Sequence, residues 1–363
     1  MKKKILYDNQ MFTLQRFGGV TRYFADLIYN LPAEEFIADI PMRYCENHYI
    51  TETYGQKYDK ISIPNNYRVR RRIYACVNNY VSKFAIKNSD YDIFHPTYFD
   101  PYFLKAVERR QKPFVLTIHD MTFERYPQDV LIYDRTIPNK KRLIAEADHI
   151  IAVSENTKRD IVELLGTDPA KISVVHHGYK PITTVAPQLF DRYVLYVGER
   201  KGYKNFLPWL SAIRPILDTD PALKIVCTGT PFTGAELKLF AKWNISDRLL
   251  HITANDAQMA SLYRYALCFV FPSHYEGFGI PILEAFHNGC PVCLSNASCF
   301  PEVAGDAAVY FNPNDAQSIQ DTLKELLASP VLREELRQKG TLRSREYTLE
   351  RMVEQTCNVY RKL

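Results

Sequence analysis

Short apolar runs rich in β-branched and aromatic residues alternate along the chain with longer amphipathic stretches, the pattern of α/β units built on parallel sheets. In the first half, "KKILYDN", "FIADIPM", "YDIFHPT", "FVLTIHD", "HIIAVS" and "KISVVHHG" predict six strands, with helices after Gly18-Gly19, over 139–147 and over 155–165. A second series, "YVLYVG", "KIVCTG", "LLHIT", "CFVFPS", "PVCLSN" and "AAVYFNP", predicts a second sheet. Between them "YKPITTVAPQLFDR", residues 179–192, lacks a clear period and carries two prolines, so it reads as a linker. The tail "TLERMVEQTCNVYRKL" reads as one amphipathic helix with Met352, Val353, Cys357 and Tyr360 on its apolar stripe. The expected division is residues 1–182 with a tail helix over about 348–363, and residues 183–347.

Length agrees with two lobes, because 363 residues exceed the roughly 250 to 300 at which single cores stop growing. The mean hydropathy of -0.27 argues against a membrane-resident chain. No apolar run approaches the roughly 18 residues of a spanning helix. In "MKKKILYDNQ" only Ile5, Leu6 and Tyr7 separate the basic flank from Asp8, so the segment reads as a buried strand and not a signal peptide; the expected location is cytoplasmic. Most of the eight cysteines lie in apolar runs and read as buried thiols. Cys290-x-x-Cys293 lacks the second pair that a zinc site needs. The net charge of +5 is mild, and no nucleic-acid partner is expected. "YRVRRRIY" nevertheless concentrates Arg68, Arg70, Arg71 and Arg72. That is either a solvated helix face or a contact for anionic lipid or a phosphorylated acceptor, peripheral at the inner face of a membrane.

Parallel sheets bind ligands beyond the carboxyl ends of their strands, which singles out four clusters. Gly18-Gly19 precedes a helix whose free N–H groups suit an anion, although a plain tight turn fits equally. His119 ends "FVLTIHD", as a hydrogen-bonding group near neutral pH or as a structural residue. After "YVLYV", Gly198 turns the chain and Arg200, Lys201 and Lys204 follow, suited to a diphosphate or to a solvated basic loop. No Walker motif is present. In "YEGFGIPILEAFHNG", Gly277 and Gly279 precede Pro281 at a helix start, and Glu276 and Glu284 stand eight positions apart. Two carboxylates would repel a phosphate, so hydroxyl recognition is the better assignment for them.

These clusters, together with "LTIHDMTFERYP", "AVSENTKRDIVELLGTDPAKISVVHHG" and the stretch Phe271–Pro313, resemble family four of the retaining, nucleotide-sugar-dependent glycosyltransferases over nearly the whole chain. The resemblance implies a GT-B fold, two Rossmann-like lobes of parallel sheet facing across a cleft, with the tail helix returning to the first, acceptor-side lobe. It implies that Glu276 lies beside the donor sugar and Glu284 binds ribose hydroxyls. Gly277, Phe278, Gly279 and Ile280 would offer backbone amides, Arg200 and Lys204 would grip the diphosphate, and Gly198 would shape that loop. Gly18 and Gly19 match the loop near the donor phosphate, His119 matches a histidine facing the donor sugar, and Glu302 matches a further acid with capping as its other reading. Glu199 stands where many members have Gly-Arg, and His177 occupies the usual Asn position of the hinge. The expected reaction is retaining, cofactor-free transfer of a hexose from GDP-mannose or a UDP-sugar to a glycan or lipid-linked acceptor of a surface polysaccharide. No metal is expected, since no Asp-x-Asp follows a strand. An epimerase or phosphorylase of the same fold, or a non-catalytic nucleotide-sugar binder, are the alternatives.

Overall fold

A computed structural model of the protein describes residues 1–59, 67–129 and 135–363; the side chain of Arg68 lies outside what is described. Two compact units result, Met1–Gly178 with Leu349–Leu363, and Tyr179–Thr348. The segment 179–192 belongs to the second unit, where Ala186 N–H donates to Ala257 O at 3.0 Å and Pro187 O accepts the Ser261 hydroxyl at 2.9 Å.

In the first unit β1 (Lys3–Tyr7), β2 (Phe36–Asp39), β3 (Ile93–His95), β4 (Val115–Ile118), β5 (His149–Ala152) and β6 (Ile172–Val174) fall within the six predicted runs. They form the parallel sheets β2-β1-β3 and β4-β5-β6, joined where Phe94 bridges Phe114. Helices Gly19–Tyr29, Thr136–Glu146 and Glu155–Leu165 follow strands. The middle one starts three residues before its predicted onset, because Pro138 sits in the first turn, where its missing N–H costs nothing. Ser154 caps the last by accepting Thr157 N–H at 3.0 Å.

The tail helix Leu349–Lys362 completes this unit's core: Met352, Val353, Cys357 and Tyr360 are buried with Ile5, Tyr7 and Phe36. Its polar lock is the Tyr360 hydroxyl, 2.8 Å from the Tyr7 hydroxyl and 2.6 Å from His95 Nδ1, while His95 Nε2 meets Thr117 Oγ1 at 2.9 Å. Burial lowers the His95 pKa to about 3, so the ring is neutral.

In the second unit β7 (Tyr193–Tyr196), β8 (Lys224–Cys227), β9 (Leu249–His251), β10 (Cys268–Phe271), β11 (Val292–Ser295) and β12 (Ala308–Phe311) form one parallel sheet in the order β12-β11-β10-β7-β8-β9. The chain lays down β7, β8 and β9 in one direction and then returns to the other side of β7. That reversal puts a switch point between the carboxyl ends of β7 and β10, and in the first unit the same logic picks out β1 and β3.

A His whose folded pKa is depressed takes up a proton only on unfolding, so stability falls as pH drops below the ordinary value near 6.5. The slope contributed by His95 is about 1.4 kcal/mol per pH unit down toward its folded pKa. Urea unfolding followed between about pH 6.5 and 4.5 should show a shallower loss for His95→Gln than for the wild type. Parallel losses would contradict a buried neutral His95.

Candidate active site

The second unit's switch point is built by two loops. From β7 the chain passes Gly198 and the turn Gly202–Lys204, and Asn205, left-handed at φ 55°, starts the helix Phe206–Ala212. From β10 it runs to Gly279, at φ 90°, which begins the helix Ile280–His287. A Cβ on Gly279 would lie 3.0 Å from Ile282 Cδ1 and 3.3 Å from Phe300 Cε1, so backbone angle and space both require glycine. The loops are tied together by His274 N–H donating to Tyr203 O at 2.8 Å.

Across this tie Lys204 Nζ sits 2.6 Å from Glu276 Oε1, with both side chains less than a fifth exposed. The ammonium also lies 5.0 Å from the Tyr203 ring centre and 5.6 Å from that of Phe271. Ser298 fixes the Glu276 backbone, donating its hydroxyl to Glu276 O at 2.6 Å and accepting Glu276 N–H at 3.2 Å. Glu284, on the helix behind, accepts the Tyr263 hydroxyl at 2.9 Å. Burial first, and then the neighbouring Glu284 carboxylate, push the Tyr263 phenol far above its ordinary range, so it stays a donor. Phe278 is buried, with its ring 5.6 Å from that of Tyr347, so only its backbone is available to a ligand. The unit therefore gathers Lys204, Glu276, Gly277, Phe278, Gly279, Ile280 and Glu284 on the loops and helix at one switch point, with Gly198 at the exit of β7.

Arg200 is engaged by the protein's own groups. Sequence reasoning placed it on a diphosphate, but its guanidinium is buried: Nε donates to Glu236 Oε1 at 2.7 Å, Nη1 to Thr230 O at 2.8 Å and Nη2 to Pro231 O at 3.0 Å. It stacks 4.8 Å from the Phe232 ring centre as well. Burial pushes the Glu236 carboxyl up, but Arg200 and the Thr233 N–H and hydroxyl more than offset that and leave it lowered. The guanidinium thus braces the segment after β8. The backbone carbonyl of Glu302 accepts Arg343 Nη2 at 2.8 Å.

In the first unit Gly18 adjoins the helix start at Gly19, and a Cβ there would fall 2.1 Å from Gln15 Oε1. His119 stacks on His177 at 5.4 Å, with Tyr23 edge-on at 4.9 Å, and its Nε2 is enclosed without a partner among the described residues. Burial above all lowers its pKa to about 3, so it acts as a neutral ring.

Sequence reasoning missed Tyr263, Ser298 and a cavity of about 520 Å³ at the carboxyl ends of β1 and β3. Asn9, Gln10, Thr13, Asn79 and Asp100 line it beside Tyr98 and Phe99. Beneath it, buried Asp8 accepts Thr97 N–H at 2.9 Å, Gln10 Nε2 at 2.7 Å and the Tyr102 hydroxyl at 3.1 Å. The signal was present, since Asp8 and Asn9 close the first predicted strand run and Gln10 follows it.

Two family models cover most of the chain, "Glycosyl transferases group 1" over residues 186–343 and "Glycosyltransferase Family 4" over residues 17–181. O-antigen chain mannosyltransferase B of Escherichia coli is 26% identical over 300 residues, covering 76% of this chain and 75% of its own. O-antigen chain mannosyltransferase RfbU of Salmonella typhimurium is 28% identical over 220 residues, 59% of this chain and 61% of its own. Among solved structures, HepE of Anabaena in complex with UDP and glucose superposes with a TM-score of 0.77 at 13% identity, covering 99% of this chain and 100% of its own, a likeness of GT-B fold.

Removing the Arg200 brace strands Glu236 and two carbonyls, so Arg200→Ala should lower stability by about 3 to 5 kcal/mol in urea unfolding. An unchanged midpoint would mean that the brace carries no weight.

Proposed function

We propose, from the premise that this chain belongs to the group 1 glycosyl transferases and is a glycosyltransferase, that it moves a hexose with retention from a nucleoside diphosphate sugar to a surface-polysaccharide acceptor. The observation that carries this reading is the Lys204–Glu276 pair at the switch point beside the helix start at Ile280.

As the bond between the sugar's anomeric carbon and the phosphate oxygen breaks, its electron pair stays on the leaving diphosphate. Lys204 and the amides of Gly277 through Ile280 are the groups suited to that growing charge. Glu276, its own charge balanced by Lys204, lies where it can hydrogen-bond the sugar's hydroxyls and favour an oxocarbenium-like carbon. Glu284, oriented by Tyr263, takes the ribose hydroxyls. The acceptor hydroxyl attacks from the face the diphosphate leaves, and its proton passes to the departing phosphate oxygen. Lysine and amides supply the positive charge, so the reaction runs without a metal and should survive a chelator. His119, neutral, is assigned to the donor sugar from the first unit.

The donor we favour is GDP-mannose, in keeping with the two mannosyltransferase relatives, with UDP-hexoses as the competing set. The acceptor is a glycan or lipid-linked glycan, and the cavity at the ends of β1 and β3 suits it, offering amide and carboxylate groups for hydroxyls and the rings of Tyr98 and Phe99 for sugar faces. A lipid-linked acceptor would bring the enzyme to a membrane surface.

The test is incubation with a panel of nucleotide sugars, with and without oligosaccharide acceptors, and NMR assignment of the product anomer. An inverted product would refute retention, and conversion of donor alone to a second nucleotide sugar would point to an epimerase. Calorimetry should show Glu284→Ala weakening nucleoside diphosphate binding by about 1.5 to 3 kcal/mol, the range for hydrogen bonds to a charged group. Unaltered binding would remove Glu284 from the ribose.

A further inference from the structure

The helix Tyr67–Asn88 in the first unit carries large apolar side chains on its outer side as well as its inner one. Its core face combines buried Tyr74 and Ile86 with two polar groups. Asn78 and Ser82 are fully buried, with Asn78 Nδ2 donating to Tyr44 O at 2.8 Å and to Thr13 Oγ1 at 3.0 Å, and Ser82 Oγ donating to Pro41 O at 2.9 Å. Its outer side carries Tyr80, 71% exposed, and Phe84, 61% exposed, one turn apart, with half-buried Ile73 and Val77 continuing the same stripe. Exposed Arg72, Lys83 and Lys87 border that stripe. Over 22 residues the helix has six arginines and lysines and no aspartate or glutamate.

We propose that this outer face is an interfacial anchor that lays the first unit on an anionic lipid bilayer, with Tyr80 and Phe84 entering the headgroup region and Arg72, Lys83 and Lys87 meeting lipid phosphates. Large aromatic side chains bordered by cations, on a helix without acids, match such an interface in both hydrophobicity and sign of charge. A second copy of the chain fits poorly, since a two-fold contact would bring each cationic border against its own kind. The basic run at the start of the helix is not the main carrier, because Arg70 Nε lies 3.3 Å from Glu46 Oε1. No described helix is long and apolar enough to cross a membrane, so the contact is one of lying on the surface. The assignment of a bilayer as partner rests on the reading of the acceptor as lipid-linked, while the geometry of the face does not.

The test is sedimentation of the full chain with vesicles of phosphatidylcholine alone or of equal parts phosphatidylcholine and phosphatidylglycerol. The wild type should bind the anionic vesicles and not the neutral ones. Tyr80→Ser with Phe84→Ser should weaken that binding about ten-fold, and Lys83→Gln with Lys87→Gln about five-fold per cation removed, each with an unchanged thermal transition. Absence of wild-type binding, or binding by both variants equal to the wild type, would overturn the proposal. So would a dimer in light scattering that the Tyr80→Ser, Phe84→Ser variant abolishes. Turnover with a water-soluble acceptor should be the same in that variant as in the wild type. If the wild type binds vesicles but turns over no nucleotide sugar, the transferase reading fails and the anchor stands.

Discussion

Everything at the candidate site depends on the adjacency of β7 and β10, two parallel strands that are neighbours in space and separated in sequence by β8 and β9. Their outgoing loops leave in opposite directions, so a crevice opens that no connection of the sheet itself fills. Keeping it open requires backbone that most residues resist: Asn205 and Gly279 both stand in the left-handed region, and each starts a helix there. Charge then has to be managed, because an unpaired Lys204 or Glu276 in that half-buried place would be costly, and the 2.6 Å contact between them offsets that cost.

Arg200 and Lys204, four residues apart and alike in charge, meet opposite ends for a physical reason. The planar guanidinium presents donors in a fixed fork, which matches two carbonyls and a carboxylate converging from the segment after β8. An ammonium on a flexible stem has no such preference and serves as a point charge at the crevice. Sequence spacing treats the two alike, since both follow the same strand; only the position of Glu236, on a different helix, separates them.

Legibility in the sequence tracked how local the cause was. The twelve strands among the described residues lie within the apolar runs that predicted them, because strands of a parallel sheet covered on both faces have to be apolar nearly throughout. The Glu276 to Glu284 segment was visible from glycines and a proline whose constraints are intrinsic to the backbone. Tyr263 and Ser298 were not, since each acquires its role from a partner at least 21 residues away. The helix Tyr67–Asn88 failed differently: its arginines were read as the feature, whereas Tyr80 and Phe84 acquire meaning only once Asn78 and Ser82 are seen to occupy the core side.

The two acids of the opening helix segment also differ in a way that composition cannot express. Glu276 is held by a cation, which offsets its charge and fixes one oxygen, and on the proposed reading the pair acts as a dipole beside the sugar. Glu284 is held by a phenol, which orients one oxygen. A carboxylate there would repel a phosphate and suits hydroxyl groups better. On the proposed reading ribose is therefore the part of the nucleotide that Glu284 addresses, and the difference in partner is what divides the labour between the two acids.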